Sequence, residues 1–391
     1  MRVMQIIGNS VVGGAESHLL DLVEGLGLLG VECVVVCPRP GPLTETLTSR
    51  GVPVTCLEMV LPWPGDEYGL DWSVVERLAA HLQAYRPDVV HSHLYPAHLH
   101  GTLAAHMVGT SAIVHSAHTL VVRAGDVLLS RLTTVRTITM AHAAAQLLVH
   151  AGVPHDRITV IYNGVGPEHH DSDPAAEQAA RATVALPRGP VVGVVSRLSP
   201  EKGVDVLLRA VPAVAQAYPS LTVLIVGDGP QRAELQRLAH TLHLGDTVRF
   251  LGTRRDVAAL NRLFDVFVLP SREEVCPMAL LEAMAAGCAV VATVVGGATE
   301  VVAHGATGWL VPPDDATALA IALAELLRAP ARRVALGQAA RETIRTRFTC
   351  ERMVRETWAF YQTLLAAHSR GSEEQEPLAW PRRPGGHQRP R

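Results

Sequence analysis

Residues 191–226 read VVGVVSRLSPEKGVDVLLRAVPAVAQAYPSLTVLIV, and this stretch decides the fold class. The apolar runs Val191–Ser196 and Thr222–Val226 predict strands that are buried on both faces. Between them, Val204–Ala217 has the spacing of an amphipathic helix. A strand, a helix and a second apolar strand in this order predict a parallel β-α-β unit.

The same alternation of apolar runs and helical segments continues on both sides of this unit. Further strands are predicted at Arg2–Gly8, Glu32–Cys37, Asp88–His93, Ile113–His118, Ile158–Tyr162, Val248–Leu251, Val266–Leu269 and Ala289–Thr293. Further helices are predicted at Ala15–Gly30, Ser73–Arg86, Ala97–Gly109, Arg232–His243 and Ala279–Ala286. The pattern predicts an α/β protein with two doubly wound, Rossmann-like parallel-sheet domains.

The boundary between the two domains is expected in a segment without a sheet pattern. This segment, 166–187, is predicted to be a linker, so the domains span 1–165 and 188–345. An amphipathic helix is expected at 350–367. The last residues, 369–391, are rich in Pro, Gly and charge and predict a disordered tail.

Composition excludes several classes of protein. The formal net charge of −3 over 391 residues does not support a nucleic-acid binder. No stretch of about 18 uncharged apolar residues occurs, so no transmembrane span is expected. The N-terminus lacks the pattern of a secretory signal, and the six cysteines form no CxxC pair. These features predict a reduced, cytoplasmic enzyme.

A glycine-containing loop follows the first predicted strand and opens the first predicted helix. It reads GNSVVGGAE at 8–16, with Gly13 and Gly14 at the helix start. Glycines let backbone amides approach a phosphate, and a helix N-terminus adds positive potential. The spacing is not that of a dinucleotide-binding loop, and a tight structural turn is the alternative.

A second loop, Ser196–Gly203, joins a strand to a helix in the second domain. It carries Arg197 and Lys202, and Lys202 is the only lysine among 34 basic residues. A guanidinium fork and a compact ammonium that point into the same space suit a diphosphate. The alternative is a solvated basic loop.

A pair of carboxylates follows the strand that ends at Leu269. Glu274 is expected on the loop, Pro277 in the first helical turn and Glu282 inside the helix. Ligands bind at the carboxyl ends of strands in open α/β sheets, and carboxylates accept hydrogen bonds from sugar and ribose diols. The alternative is that these acids only complement the helix dipole.

Histidines are concentrated in the first domain, where 13 of the 19 fall between His81 and His170. His91 and His93 would face one side of a strand and offer a metal two ligands. A third ligand is not placed by spacing, and Asp314-Asp315 does not follow a metal-type strand. We therefore expect no metal, and histidines that line a cleft or form hydrogen bonds.

Several longer strings resemble one enzyme family, the retaining glycosyltransferases of family 4, which have the GT-B fold. The strings are SRLSPEKGVDVLLRA (196–210), LIVGDGPQR (224–232), VRFLGT (248–253), PSREEVCPMALLEAMAAGCAVVAT (270–293), GGATEVVAHGATGWLVPPDD (296–315), GGAE (13–16), DVVHSH (88–93) and ITVIYNGV (158–165). The resemblance implies an acceptor domain at 1–165 and a nucleotide-sugar donor domain at 188–345 that face a cleft. It also implies that the helix 350–367 crosses back to the first domain.

The resemblance assigns roles to individual residues. It implies that Glu274 contacts the donor sugar, Glu282 the nucleotide ribose, and Arg197 with Lys202 the diphosphate. It also implies that Gly13 and Gly14 close over the phosphates, that His118 lies near the transferred sugar, and that 275–277 complete the donor site. The chain departs from the family at Val275 and Cys276, where glycine and then an aromatic or aliphatic residue are usual.

The implied activity is transfer of a sugar from a UDP- or GDP-sugar co-substrate to an acceptor hydroxyl, with retention and without a cofactor. The acceptor is expected to be a carbohydrate, a lipid-linked glycan or a small molecule. A lipid-linked acceptor would bring the protein to the inner face of the membrane as a peripheral protein. The alternatives are a sugar-nucleotide epimerase of the same fold and a non-catalytic sugar-nucleotide binding module.

Overall fold

The computed structural model describes residues 1–10, 13–59, 69–171 and 173–374. Seven of its strands form one sheet in the order β3-β2-β1-β4-β5-β6-β7, and every pairing is parallel. These strands are β1 Arg2–Ile7, β2 Glu32–Cys37, β3 Val54–Cys56, β4 Val89–His93, β5 Ala112–Ala117, β6 Arg136–Thr139 and β7 Ile158–Val160. With the helices around it, this sheet forms the first domain.

The second domain is built on a sheet of six parallel strands in the order β10-β9-β8-β11-β12-β13. Its strands are β8 Val191–Val195, β9 Thr222–Val226, β10 Val248–Gly252, β11 Val266–Leu269, β12 Ala289–Thr293 and β13 Trp309–Val311. Successive residues of one strand pack on opposite faces. Val191 lies in one hydrophobic cluster, and Val192 lies in the other. The sheet is therefore covered on both faces, and the predicted α/β class with two doubly wound sheets is confirmed.

Helices connect the strands in both domains. They are α1 Gly14–Leu28, α2 Pro42–Ser49, α3 Trp72–Tyr85, α4 Tyr95–Met107, α5 Ala124–Leu132, α6 His142–Ala151, α7 Pro174–Thr183, α8 Val204–Ala217, α9 Arg232–Thr241, α10 Val257–Asn261, α11 Met278–Ala285, α12 Ala298–Val301, α13 Ala316–Arg328, α14 Pro330–Arg347 and α15 Cys350–Glu374. In the ranges that the structure describes, none of them is long and apolar enough to cross a membrane.

Some elements were not predicted from the sequence. The strands β3, β6 and β13 have only three or four residues, too few to establish an apolar period. The segment 166–187, predicted as a linker, contains α7. The side chain of Asp173 caps this helix by accepting hydrogen bonds from two backbone amides. This helix packs against α10 of the second domain.

The C-terminal helix α15 is longer than the predicted 350–367 and reaches Glu374. It packs against α1, where a Cβ atom on Gly25 would lie 2.5 Å from the Cγ2 atom of Val354. Tyr361 is fully buried, and its hydroxyl lies 2.5 Å from Nδ1 of His91 on β4. Of the predicted tail, 375–391 lie outside the described residues.

Each sheet has a point where the strand order reverses. In the first sheet this point lies between β1 and β4, and in the second between β8 and β11. The loops that leave neighbouring strands at such a point diverge to opposite faces and open a crevice at the carboxyl ends. The fold therefore places the loops 196–203 and 270–277 side by side.

Replacing Tyr361 by Ala should lower the free energy of unfolding by about 3 to 5 kcal/mol, because it removes a buried aromatic ring. Urea denaturation followed by circular dichroism measures this loss. The matched control is Gln362→Ala on the exposed side of α15, which should change stability by less than about 0.5 kcal/mol. Equal midpoints for the two variants would contradict a role of α15 in holding the first domain together.

Candidate active site

The loops that follow β8 and β11 meet at the reversal point of the second sheet. Gly203 has a φ of +61°, and a Cβ atom there would lie 2.0 Å from the carbonyl oxygen of Pro270. Only glycine tolerates both the backbone conformation and this approach. The close contact between the loops brings Lys202 on the first loop to Glu274 on the second.

Lys202 and Glu274 form an ion pair. Nζ of Lys202 donates to Oε1 of Glu274 at 2.8 Å, and Oγ of Ser271 donates to the same oxygen at 2.7 Å. The Glu274 side chain is 7% exposed and the Lys202 side chain 24%. A carboxylate this buried is costly without a charged partner, so the pair holds both loops in place. The sequence predicted both residues but not their contact, and it did not single out Ser271.

Arg197 lies on the same loop but has another partner. Its Nη2 donates to Oε1 of Glu201 at 2.5 Å, and Ser199 donates to that oxygen as well. The Arg197 side chain is 67% exposed. That Arg197 and Lys202 bind one diphosphate stays a prediction, and in this structure each of the two cations is paired with its own carboxylate. The spacing of Arg197 and Glu201 by four residues was a local signal for this pair.

The start of α1, predicted to hold phosphate, contains a buried carboxylate. Glu16 is 3% exposed, and burial raises its pKa, whereas the backbone amides of Glu16 and Gly13 and the charge of Arg197 lower it. Its Oε1 atom has no hydrogen-bond partner among the described residues. The position of Glu16, three residues after the helix cap Gly13, is typical of a capping residue and could have identified it.

The N-termini of α1 and α11 face each other across the two domains. A Cβ atom on Gly14 would lie 3.9 Å from Cγ of Met278, the first residue of α11. Pro277 is the residue before the helix rather than part of its first turn, which corrects the predicted position. Gly13 caps α1, and residues 11 and 12 of the predicted phosphate loop lie outside the described residues.

Two glycines support the loop of Glu274. The Gly297 amide donates a hydrogen bond to the Glu274 carbonyl at 3.1 Å. A Cβ atom on Gly296 would lie 1.9 Å from the carbonyl oxygen of Glu274. A Cβ atom on Gly297 would lie 1.7 Å from the carbonyl oxygen of Val275, so only glycine fits at either position. The Val275 and Cys276 side chains are buried in the core of the second domain. Burial raises the pKa of Cys276 to about 12, so its thiol stays protonated. Sequence reasoning gave the glycine pair no role, although adjacent glycines after a strand were a signal.

Glu300 joins the second domain to the first. Its carboxylate accepts hydrogen bonds from the backbone amides of His142 and Ala143, both at 2.9 Å, and from the Tyr162 hydroxyl at 2.6 Å. These amides belong to the first turn of α6, where a negative charge is favourable. The contact therefore fixes α12 and the glycines before it against the first domain.

Glu282 has surroundings unlike those of Glu274. Burial, and then the negative charges of Asp21 and Glu168, raise the pKa of Glu282 to about 7. Burial and the charge of Glu168 raise the pKa of Asp21 to about 7 as well. The structure thus brings Glu282 to carboxylates of α1 and of the segment between the domains, whereas Glu274 has a lysine partner.

His118 lies beyond the end of β5 at the other side of the cleft. Its Nε2 is 3.1 Å from Nδ1 of His93, whose Nε2 is 2.9 Å from Oε1 of Gln5. His118 also lines a cavity with Tyr95, Arg123, Asp126 and other residues of the first domain. Burial and neighbouring histidines lower the pKa of His118 well below its ordinary value, so it is neutral at pH 7. The sequence did not predict its contact with His93.

His91 does not offer a free ring nitrogen to a metal shared with His93, the alternative that the sequence analysis set aside. Nδ1 of His91 lies 2.5 Å from the Tyr361 hydroxyl, and its Nε2 lies 2.8 Å from Oγ of Ser116, so both ring nitrogens have other partners. His100 is likewise bound through both nitrogens. Sequence reasoning missed that His93 also faces His18 of α1 and His118.

Two family models match the chain: Glycosyl transferases group 1 at 177–343 and Glycosyltransferase Family 4 at 12–169. The D-inositol 3-phosphate glycosyltransferase of Saccharomonospora viridis is 31% identical over 307 residues, which are 72% of this chain and 71% of that protein. The two parallel-sheet α/β domains agree with these matches. The chain belongs to the group 1, or family 4, glycosyltransferases.

Other relatives match a smaller part or the fold alone. The GDP-mannose-dependent alpha-(1-6)-phosphatidylinositol monomannoside mannosyltransferase of Mycobacterium tuberculosis is 37% identical over 190 residues, 46% of this chain. The chain spans about half, 49%, of the length of that relative. Anabaena Alr3699/HepE in complex with UDP-glucose has a TM-score of 0.82 at 24% identity and covers 93% of this chain and 100% of its own. This likeness supports the GT-B fold.

The raised pKa of Glu282 predicts that the contribution of this carboxyl to stability falls as the pH rises from 4.5, its ordinary pKa, to about 7. In this range the folded carboxyl keeps a proton that the unfolded chain has released, and deprotonation in the folded state costs free energy. Melting temperatures between about pH 4.5 and 7.5 measure the effect. Because the lowered pKa values of buried histidines make stability rise over part of this range, the effect of Glu282 is measured as a difference: the melting temperature of Glu282→Gln relative to the unmodified chain should increase as the pH rises.

The control for this experiment is Glu45→Gln, because Glu45 is exposed on α2. Its melting profile should follow that of the unmodified chain. A profile of Glu282→Gln as steep as that of the unmodified chain would contradict the raised pKa.

Proposed function

We propose that the protein transfers a sugar from a nucleoside diphosphate sugar to an acceptor hydroxyl, with retention of anomeric configuration and without a metal ion. The observation that carries the proposal is the buried ion pair of Lys202 and Glu274 at the reversal point of the second sheet. This pair lies where α/β sheets bind ligands, and the N-terminus of α1 in the first domain contacts Met278, at the start of the helix that follows the loop of Glu274.

The proposed chemistry requires stabilisation of the leaving diphosphate as its negative charge grows. Lys202, Arg197 and the helix N-termini would supply that positive potential in place of a metal. The diphosphate competes with Glu274 for Lys202 and with Glu201 for Arg197, so donor binding would rearrange both ion pairs. Glu274 then becomes free to accept hydrogen bonds from the sugar. The departing phosphate takes the acceptor proton, and His118 orients the sugar.

The names of the relatives and of one similar structure suggest which donors and acceptors to test. One relative is named as GDP-mannose-dependent, and one similar structure holds UDP-glucose, so GDP- and UDP-sugars are the donors to test. Named acceptors of relatives are D-inositol 3-phosphate, 2-deoxystreptamine and a phosphatidylinositol mannoside. A hydroxyl on a carbohydrate, a lipid-linked glycan or a small cyclitol is the acceptor class. A lipid-linked acceptor would place the protein peripherally at the inner face of the membrane.

The experiment that tests the proposal incubates the protein with GDP- and UDP-sugars and these acceptors, and follows release of nucleoside diphosphate and the glycosylated product. Retention is read from the anomeric configuration of the product by NMR. An epimerase would yield an isomerised sugar without an acceptor. A binding module would show donor-dependent thermal stabilisation but no diphosphate release.

The two glutamates should affect different kinetic constants. Glu274→Gln should lower turnover, because it loses a charged contact to the reacting sugar worth roughly 2 to 4 kcal/mol in a dry site. Glu282→Gln should mainly raise the Michaelis constant for the donor, because a ribose contact is about equal in ground and transition states. Donor-saturation kinetics at fixed acceptor measure both.

The matched control is Glu273→Gln, since Glu273 is exposed and adjacent to Glu274. It should leave turnover and donor affinity unchanged. If Glu282→Gln loses turnover at unchanged affinity while Glu274→Gln does the reverse, the two roles must be exchanged. If neither variant changes either constant, the donor site is placed wrongly.

Transfer should continue after removal of divalent metal, because the cations for the diphosphate are side chains. The measurement compares the rate after EDTA treatment and desalting with the rate after addition of Mg²⁺ or Mn²⁺. A fall of more than about tenfold, or about 1.4 kcal/mol of barrier, that either metal restores would refute the roles of Arg197 and Lys202.

A further inference from the structure

Three histidines from different elements meet at the carboxyl edge of the first sheet. His18 lies on α1, His93 ends β4, and His118 follows β5. One ring nitrogen from each lies within 4.8 Å of the others. His18 and His93 are buried, and His118 is half-buried at the cavity described above. The cluster therefore has two enclosed members and one that is reached from the cleft.

His18 is the member of the cluster whose ring nitrogens lack well-formed hydrogen bonds. It is 3% exposed, and neither of its ring nitrogens makes a hydrogen bond of normal geometry within the described residues. The Asn163 side chain lies close enough to be a weak hydrogen-bond partner of the ring, but it can serve only one of the two ring nitrogens. Buried polar groups are nearly always paired, so the ring nitrogen that has no partner among the described residues indicates a site for another group.

The ring orientations allow the three lone pairs to converge. The plane of His18 is inclined by 56° to that of His93 and by 71° to that of His118. Nδ1 of His93 and Nε2 of His118 are 3.1 Å apart. With Zn–N bonds of about 2.0 to 2.1 Å, tetrahedral ligands are separated by about 3.4 Å, so small ring rotations would suffice.

His93 also has the outer partner that metal-binding histidines require. Its Nε2 donates to Oε1 of Gln5 at 2.9 Å, which leaves the lone pair of Nδ1 directed toward the cluster. Such an outer hydrogen bond fixes the tautomer and orientation of a metal ligand.

A neighbouring cluster lacks this geometry. A ring nitrogen each of His98 and His115 and an oxygen of Asp126 also lie within 4.8 Å of one another. However, the rings of His98 and His115 are stacked 3.7 Å apart at an angle of 15°. Lone pairs lie in the ring planes, so two nearly parallel stacked rings cannot direct them at one cation. This second cluster therefore provides a control.

We propose that His18, His93 and His118 bind a divalent cation of the zinc type, and that the bound cation inhibits sugar transfer. Imidazole ligands suit Zn²⁺, Co²⁺ and Ni²⁺ but not Mg²⁺ or Ca²⁺. A cation bound to Nε2 of His118 would hold this side chain away from the donor sugar. The inhibitory part rests on the proposed function, whereas the binding part does not.

Binding is tested on the untagged full chain by titration with Co²⁺, whose visible absorption reports nitrogen coordination at a low coordination number. Unmodified protein and the control His98→Gln should bind one Co²⁺ at this site, and Zn²⁺ should displace it. His18→Gln should bind at least about tenfold more weakly. His18→Asn serves as a second variant, and melting curves verify that each variant is folded.

Inhibition is tested in the transfer assay with stoichiometric Zn²⁺. Unmodified protein and His98→Gln should lose at least about tenfold in rate and recover with EDTA, whereas His18→Gln should keep its rate. Absence of a Co²⁺ band, or equal Co²⁺ affinity in His18→Gln, would overturn the metal site. Equal inhibition of His18→Gln would overturn the inhibitory role. Co²⁺ binding without transfer by any form would support the site and reject the proposed function instead.

Discussion

The ion pair between Lys202 and Glu274 is the interaction on which the rest of the candidate site depends. It joins the loops after β8 and β11, which are neighbouring strands, although the two residues are 72 positions apart in the sequence. The pair forms because Gly203 lets its loop approach the carbonyl of Pro270. Since a buried carboxylate without a partner is strongly unfavourable, the pair fixes the backbone of both loops at once.

This constraint extends from the second domain to the first through a short run of backbone contacts. The Glu274 carbonyl accepts from the amide of Gly297, and three residues later Glu300 caps α6 and accepts from Tyr162. The loop that carries Glu274 is therefore tied to a helix of the first domain. A shift of Glu274 would be transmitted to the first domain through Gly297 and Glu300, which are not proposed to contact a ligand.

The sequence predicted what is local and missed what is formed between distant elements. The long strands and helices follow from runs of apolar residues that bury one face or both, whereas β3, β6 and β13 are too short to have a period. The resemblance placed Glu274, Lys202 and His118 in the cleft. It gave no partner for any of them, because the partners Ser271, Glu274 and His93 are determined by how strands align in the sheets.

Glu274 and Glu282 have different charged surroundings although they lie close together in the sequence. They are eight residues apart, yet Glu274 faces the ammonium of Lys202, and Glu282 faces the carboxylates of Asp21 and Glu168. A diphosphate that enters beside Lys202 would take the place of Glu274 as the partner of this ammonium and leave Glu274 to accept hydrogen bonds from the sugar. No cation among the described residues opposes the effect of burial on Glu282, so a neutral diol is a better guest there than an anion. Under the proposed function, this difference in charge directs the phosphates toward Lys202 and the ribose toward Glu282.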